Sequence, residues 1–477
     1  MKTVSLSLCI IFFSFSFNQT DSILVKIKDK VITKDDFVKR AEYTSLPLYC
    51  KNDKPYHKNI VLNSLVAEKL MAIEIESDVN NNNFSSDFLN GIKEQKMREV
   101  LLNEDVYNKA VIDSSLFNIH KNNLSRLYEF SFISIDNDTL AAIVHDYLRD
   151  GVNFDNICYN YLNLESIPTR SLGYFDEPDI KIHNEIFSKN LNANEVLGPI
   201  VSSDNKFLFL KVLSWTNLDM EFKNDENNYN DLIVEKMTMF ENYKNYSSYM
   251  SQVMEGNKLK FIEEPFFKLA NISYDYYFNR ENLNLEAYND NSYNIIYFAN
   301  QVGLNEHDTL LMYNDNSLSI SDLYQLISKH PLLFSAVKIN KDQFPLYFQY
   351  AMVELLRDEK LNQLAYLKKY DLHPDVIKEY NMFYDATLSQ LHLKSILEKK
   401  SIDKNTFDQN PQLIFDKFLN DYITLLRKKY SSEIHIDFEI FNSISLKKDT
   451  DKYRKGMPYP KVVPVFPILT SKITVLD

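Results

Sequence analysis

Leu127-Tyr128-Glu129-Phe130-Ser131-Phe132-Ile133-Ser134-Ile135 opens a stretch that closes with Phe207-Leu208-Phe209-Leu210-Lys211-Val212. Between them lie Gly151-Val152-Asn153-Phe154, Leu172-Gly173-Tyr174-Phe175 and Gly198-Pro199. The chain has 7 glycines in 477 residues, and Gly151, Gly173 and Gly198 all fall here. So scarce a residue is expected where the backbone needs a positive φ or a close approach. The apolar spacing predicts a strand at Phe130–Ile135, helices at Leu140–Leu148 and Phe154–Tyr161, and a strand at Phe207–Val212.

Around this stretch the chain is too long for one ordinary core, and about three domains are expected. Hydrophobic residues make up 45% and charged residues 25%, the balance of a globular protein. The net charge is −13, which argues against a nucleic-acid partner, since that needs a basic face. Met1-Lys2 followed by the apolar run Val4–Phe17 reads as a secretory signal peptide cleaved between Ser16 and Ser22, with Cys9 as an ordinary member of the run; an uncleaved start-helix anchor is the alternative. No later run is long enough to span a membrane. Cys50 and Cys158 are too few for a disulfide framework, and Cys158, on the face of Phe154, Ile157 and Tyr161, is expected to be buried and inert.

In order, Ile23–Ile32 reads as a hairpin, and Thr33 caps a helix with Asp35 and Asp36 in its first turn. A proline- and lysine-rich loop (Pro47–His57) precedes the apolar helix Ile60–Glu76. After Trp215, a helix over Tyr229–Met254 ends at Gly256, and Leu259–Phe261 reads as a strand. Then the beginning returns. Leu310–Leu318 followed by Ser319-Ile320-Ser321-Asp322 matches Leu24–Ile32 followed by Thr33-Lys34-Asp35-Asp36 without a gap. A long apolar helix follows in each copy, Phe344–Ala365 in the second, and Pro374–Leu397 supplies another. The helix Pro411–Tyr430 and strand Ile434–Ile436 echo Tyr229–Met254 and Leu259–Phe261. The tail holds Pro458, Pro460, Pro464 and Pro467, an extended segment or a disordered end.

The glycine-punctuated stretch resembles the parvulin-type peptidyl-prolyl isomerase domain. Set inside a duplicated helical frame, it resembles the SurA-like periplasmic chaperone family. The fold implied is α+β and mainly helical: split, duplicated helical units with a small parvulin-like insert of antiparallel sheet and helices. The expected layout is a signal peptide (1–20), an N-terminal helical unit (21–125), the insert (126–216) and the closing helix and strand of the first unit (217–272). A linker (273–305), a second helical unit (306–400), its own closing helix and strand (401–445) and the tail (446–477) complete it.

The resemblance also implies site positions. The family's two histidines fall at Phe132 and at Phe207 or Leu208, its polar position near Asn163, and its proline pocket near Ile180, Ile182 and Phe187. The histidines are therefore missing. His183 is expected in a loop and His145 on a helix, neither in a catalytic place. Isomerisation must lower a barrier of ~18–20 kcal/mol set by amide resonance, and the lost hydrogen-bonded pair removes a means of doing so. The resemblance implies an exported, periplasmic chaperone that binds unfolded or X-Pro-containing polypeptides, outer-membrane proteins among them. Its insert then binds peptide with weak or no isomerase activity. The alternatives are an active isomerase and an envelope scaffold. No cofactor, nucleotide or metal is expected, because no phosphate loop or metal-ligand spacing occurs. Its 31 Tyr, 32 Phe and 12 Met suit either helical cores or an apolar client groove.

Overall fold

The computed structural model describes residues 22–43, 55–80, 86–176, 179–202, 206–218, 226–278, 293–334, 339–403, 406–407, 411–446 and 468–472. The signal-peptide reading, Cys50, most of the Pro47–His57 loop and the tail prolines lie outside these residues. The elements begin with β1 (Ile23–Ile27), β2 (Lys30–Thr33), α1 (Lys34–Tyr43), α2 (Pro55–Asn80) and α3 (Asp87–Asp105). Next come α4 (Ser114–Asn123), β3 (Arg126–Ile135), α5 (Asp138–Arg149), α6 (Phe154–Asn156), β4 (Thr169–Gly173), α7 (Ile180–Phe187), β5 (Val196–Val201), β6 (Phe207–Asn217) and α8 (Glu226–Met254). The rest is β7 (Leu259–Phe261), α9 (Glu263–Phe278), α10 (Ile295–Gln301), β8 (Thr309–Tyr313), β9 (Asn316–Ser319), α11 (Ile320–Lys329), α12 (Phe344–Leu367) and α13 (Pro374–Lys399). Then α14 (Pro411–Ile414) runs through a π turn into α15 (Asn420–Lys429), followed by β10 (Ile434–Ile436) and α16 (Phe438–Ser443). The fold is α+β and mainly helical, with small antiparallel sheets.

The chain forms two compact units, one of Met1–Arg98 with Lys258–Asp477 and the other of Glu99–Asn257. In the first, the duplication is visible in atomic detail. Both hairpins turn through a residue of positive φ, Lys28 at 53° and Asn314 at 56°. Both then open a helix with a reciprocal cap. Thr33 N–H donates to Asp36 Oδ2 at 3.0 Å and Asp36 N–H to Thr33 Oγ1 at 3.1 Å. Ser319 and Asp322 repeat this at 2.8 and 3.1 Å. Each cap satisfies orphan helix donors that water would otherwise have to serve.

The copies do not close on their own strands as the layout expected. β10 pairs antiparallel with β1 (Val25 opposite Ile436, Ile27 opposite Ile434), and β7 pairs with β8 (Leu259 opposite Tyr313). Each copy completes the other's sheet. The helices are exchanged as well. α13 packs on α2, and its Asp385 carboxylate takes Lys30 and Lys69 at 2.7 Å each. Beside it the buried Arg40–Glu68 pair is bidentate at 2.8 and 2.5 Å. Reciprocally, Glu94 of α3 accepts from His330 at 2.7 Å and from Asn362 of α12 at 3.2 Å. Arg98 reaches Asn362 at 2.6 Å and pairs with Asp358 at 3.3 Å. Gly91 on α3 lies where a Cβ would overlap the Lys329 carbonyl. The two lobes keep separate apolar cores, one joining α1 and α2 to α15 and Leu469, the other joining α9–α12.

Three further boundaries differ from the expected layout. The second compact unit exceeds 126–216, because α4 and α8 bury Leu124, Ile233 and Met237 in its core. α8 therefore closes the insert's core. Part of the expected linker 273–305 is regular: Ser273 and Tyr276 are buried on α9, and Asn294 caps α10 through its side chain. The Asn- and Tyr-rich composition suggested irregular backbone, yet the tyrosines fill an aromatic core, Tyr276 lying 5.2 Å from Phe298. In the tail, 468–472 docks on α2 and α15, with Leu469 and Thr470 buried.

Burial alone would raise the Asp385 carboxyl, but Lys69 and Lys30 outweigh it and hold it below the usual range. Asp385→Ala removes the acid that Lys30 and Lys69 share, leaving them Glu76 at 3.2 Å and Glu68 at 3.7 Å, and should cost about 3 kcal/mol in urea unfolding. Removing the exposed Lys268–Glu264 pair by Lys268→Ala should leave the urea midpoint unchanged within error. Gly91→Ala should cost about 1–3 kcal/mol in the same assay, because α3 must shift from the Lys329 carbonyl.

Candidate functional site

The Glu99–Asn257 unit is built on one antiparallel sheet of order β4-β3-β6-β5. One face packs on α5 and α6 through Ile133, Ile135, Phe209, Val144, Phe154 and Cys158. The other packs on α4, α7 and α8 through Tyr128, Phe130, Leu210, Val212, Ile186 and Phe187. β3 is covered on both faces, which explains its long apolar run. Cys158 is a free, buried thiol pushed up to about 11, mainly by burial, and it is inert as expected.

The three scarce glycines divide. Gly198 has φ +127°, and a Cβ there would press on the Leu208 carbonyl and Phe209, so both expected reasons hold. Gly151 needs only the positive φ, +85°. Gly173 needs neither: a Cβ would sit 3.6 Å from Leu127, an ordinary contact. It instead donates its N–H to Asp176 Oδ2 at 2.7 Å.

The site positions are placed as follows. Phe132, Leu208 and Ile182 are all half-buried against the core on the α7 face of the sheet. Phe207 packs on the opposite face with α5 and α6, so Leu208 is the residue on the α7 side. Ile180 begins α7 and is half-buried. Phe187 is fully enclosed, with rings of Tyr174 at 5.1 Å and His183 at 4.7 Å around it, and offers a ligand no surface. Asn163 is exposed in a loop with φ +52°. Phe132, Leu208 and Ile182 thus pack against one apolar core, which also holds Phe187.

A histidine pair does exist, away from the family positions. His183 lies on α7, not in a loop: Asp179 caps the helix by accepting from Lys181 N–H at 2.8 Å. His183 and His120 of α4 are each 2% exposed, with rings stacked at 6.5 Å. His183 Nε2–H donates to the Tyr174 carbonyl at 3.1 Å, and His120 Nδ1 meets the Tyr174 hydroxyl at 3.0 Å. Asn123 completes the attachment of α4 to α7, donating to the carbonyls of Phe187 and Lys189 at 3.0 and 2.7 Å. Nothing in the spacing of His120 singles it out, since it sits alone on a short helix. His145, by contrast, is on exposed α5 surface. Burial alone lowers His120 to about 4; burial, then Lys236 and His120, lower His183 to about 4 against the Tyr174 bond. The pair is neutral and shielded, and acts as a fastening for α7.

These shifts set a pH dependence. The unfolded histidines bind protons below about 6.5 and the folded ones only near 4. Stability of this unit is therefore complete above pH 6.5 and declines as pH falls toward 4, by about 2.7 kcal/mol per pH unit for two sites. Urea unfolding followed by Trp215, the chain's single tryptophan, should show this slope, and the double variant His120→Gln, His183→Gln should flatten it.

No family model matches the chain, and no curated protein matches it. Among solved structures it is similar to foldase protein PrsA from Lactococcus lactis, at 12% identity and TM-score 0.18, over 49% of this chain and 92% of that one. It is similar also to foldase protein PrsA from Streptococcus pneumoniae, at 11% identity and TM-score 0.18, over 48% and 94%.

Proposed function

We propose that this chain is an exported, periplasmic chaperone that binds unfolded or X-Pro-containing polypeptides, and that its parvulin-like unit binds peptide with little or no turnover. The observation that carries this reading is the apolar set Phe132, Ile182 and Leu208 on one side of the sheet. Two of these positions hold the family's histidines in the resemblance, and here they carry no proton donor or acceptor. An apolar seat can desolvate a proline ring and hold the segment. Lowering the rotation barrier further requires groups that favour the twisted amide over the planar one. His183 on α7 and His120 on α4 are buried and hydrogen-bonded to Tyr174, so they are fastenings in this reading. Outer-membrane proteins are the client class the resemblance implies. No helix among the described residues is long and apolar enough to cross a membrane.

The chain at equimolar ratio should delay the aggregation of an unfolded outer-membrane protein diluted from urea, measured by light scattering. Ile182→Asp should weaken that effect, because it places a charge in the apolar seat. A proline-isomerisation assay on an X-Pro peptide should give the uncatalysed rate. Catalysis well above background that Ile182→Asp removes would establish the enzyme instead. Failure to delay aggregation would remove the chaperone.

A further inference from the structure

The two copies stay in register beyond their hairpins and caps. At the spacing that sets Thr33 opposite Ser319, Ile60, Asn63, Ser64, Ala67 and Glu68 of α2 match Leu346, Gln349, Tyr350, Val353 and Glu354 of α12. The core-facing side of the helix is kept: Leu62, Leu65 and Val66 are buried, and so are their counterparts Phe348, Ala351 and Met352. The other side differs. On α2 it is covered by residues 468–472. Leu469 N–H donates to Ser64 Oγ at 3.2 Å, and Asn63 Nδ2 donates to the Lys472 carbonyl at 2.7 Å. Arg427 of α15 donates to Asn63 Oδ1 at 2.9 Å, and Ala67 is fully buried.

On α12 no described segment takes that place. Leu346, Tyr350 and Val353 form one stripe along the helix and are 50%, 42% and 38% exposed. Two of the three are larger and more apolar than the covered residues they match, Ser64 and Ala67. A contiguous apolar stripe of this kind marks a contact surface. Its polar flanks are open as well. Gln349, where Asn63 stands, is half-buried and makes no side-chain hydrogen bond among the described residues. Glu354, where Glu68 stands, lacks the buried arginine of the first copy, since Leu326 replaces Arg40. Arg357 reaches Glu354 only at 3.8 Å and bonds Asp358 at 2.8 Å instead. Burial holds the Glu354 carboxyl above the usual range, with Arg357 opposing and Asp358 adding to the shift.

We propose that this side of α12 binds a short non-helical segment of a partner polypeptide, laid along it as 468–472 is laid along α2. Aliphatic side chains of the segment cover Leu346, Tyr350 and Val353, a backbone carbonyl accepts from Gln349, and a Lys or Arg pairs with Glu354. The helix is fixed by the lobe's core before any partner arrives, which lowers the ordering cost of binding. The surface and the form of its occupant rest on the repeat. That the occupant is a client polypeptide rests on the function proposed above.

Fluorescence anisotropy of a labelled short peptide of Leu, Val, Ser and Lys, titrated with the full chain, tests this. One control peptide carries Ser in place of every Leu and Val, and a second carries Glu in place of every Lys. The parent should bind, the first control should not, and the second should bind more weakly. Val353→Lys should abolish binding of the parent, and Gln349→Ala should weaken it roughly fivefold. Glu354→Gln should remove the preference for Lys over Glu. Circular dichroism with a urea midpoint checks that each variant folds. No binding, equal binding of the parent and the Ser control, or binding indifferent to Val353→Lys overturns the proposal. So does self-association that Val353→Lys abolishes while the peptide fails to bind, which would make a second copy of the chain the occupant. Ile182→Asp in the insert should leave this binding unchanged. Peptide binding without any delay of aggregation would keep the α12 site and remove the chaperone reading.

Discussion

Asp385 is a carboxylate buried among helices, and a buried charge is tolerable only when paired and hydrogen-bonded. Its partners Lys30 and Lys69 come from the first copy of the repeated motif, while Asp385 itself comes from the second. Glu94 states the same constraint in reverse: it comes from the first copy and takes His330 and Asn362 from the second. Each copy thus holds a buried acid whose partners come from the other, while the Arg40–Glu68 pair closes within the first. The exchanged strands follow the exchanged helices, since β10 and β7 each add only three residues of ladder to an edge already positioned by helix packing. Such ion networks contribute less to net stability than to specificity, because each admits one arrangement of partners and penalises the others.

That constraint has a consequence for function. The two copies share one frame, in which α13 of the second packs on α2 of the first and each lends the other a strand. The inserted unit uses a different device. Its α7 is held to α4 by Asn123 and by the neutral His120–Tyr174–His183 cluster, and its Ile182 packs against the same core as Phe132 and Leu208. In the function proposed above, the apolar set Phe132, Ile182 and Leu208 holds chain segments, and the shielded histidines serve the unit's packing.

Much of this was legible where the signal was local. The hairpins and their Thr33 and Ser319 caps were read from a few adjacent residues, and the structure repeats them to within tenths of an ångström. The inert Cys158 followed from one helical face. What escaped was nonlocal. Ile434–Ile436 and Leu259–Phe261 are each compatible with either sheet, and only the distant ion partners decide between them. His183 reads as a loop residue unless Asp179 caps the helix ahead of it, and the enclosure of Phe187 depends on the distant Tyr174 as well as on His183. Gly173 was over-read: scarcity suggested a backbone need, and the structure has room for a side chain there.

The exchange can be tested directly by cross-linking. Lys26 pairs with His435 across β1 and β10, whereas Lys260 pairs with Met312. Mild oxidation of the double variant Lys26→Cys, His435→Cys should give a disulfide within one chain, seen by peptide mapping of the monomer. The variant Lys26→Cys, Lys260→Cys should give none. A disulfide in the second variant and not in the first would mean that each copy closes on its own strand, which contradicts the exchange and the shared frame built on it.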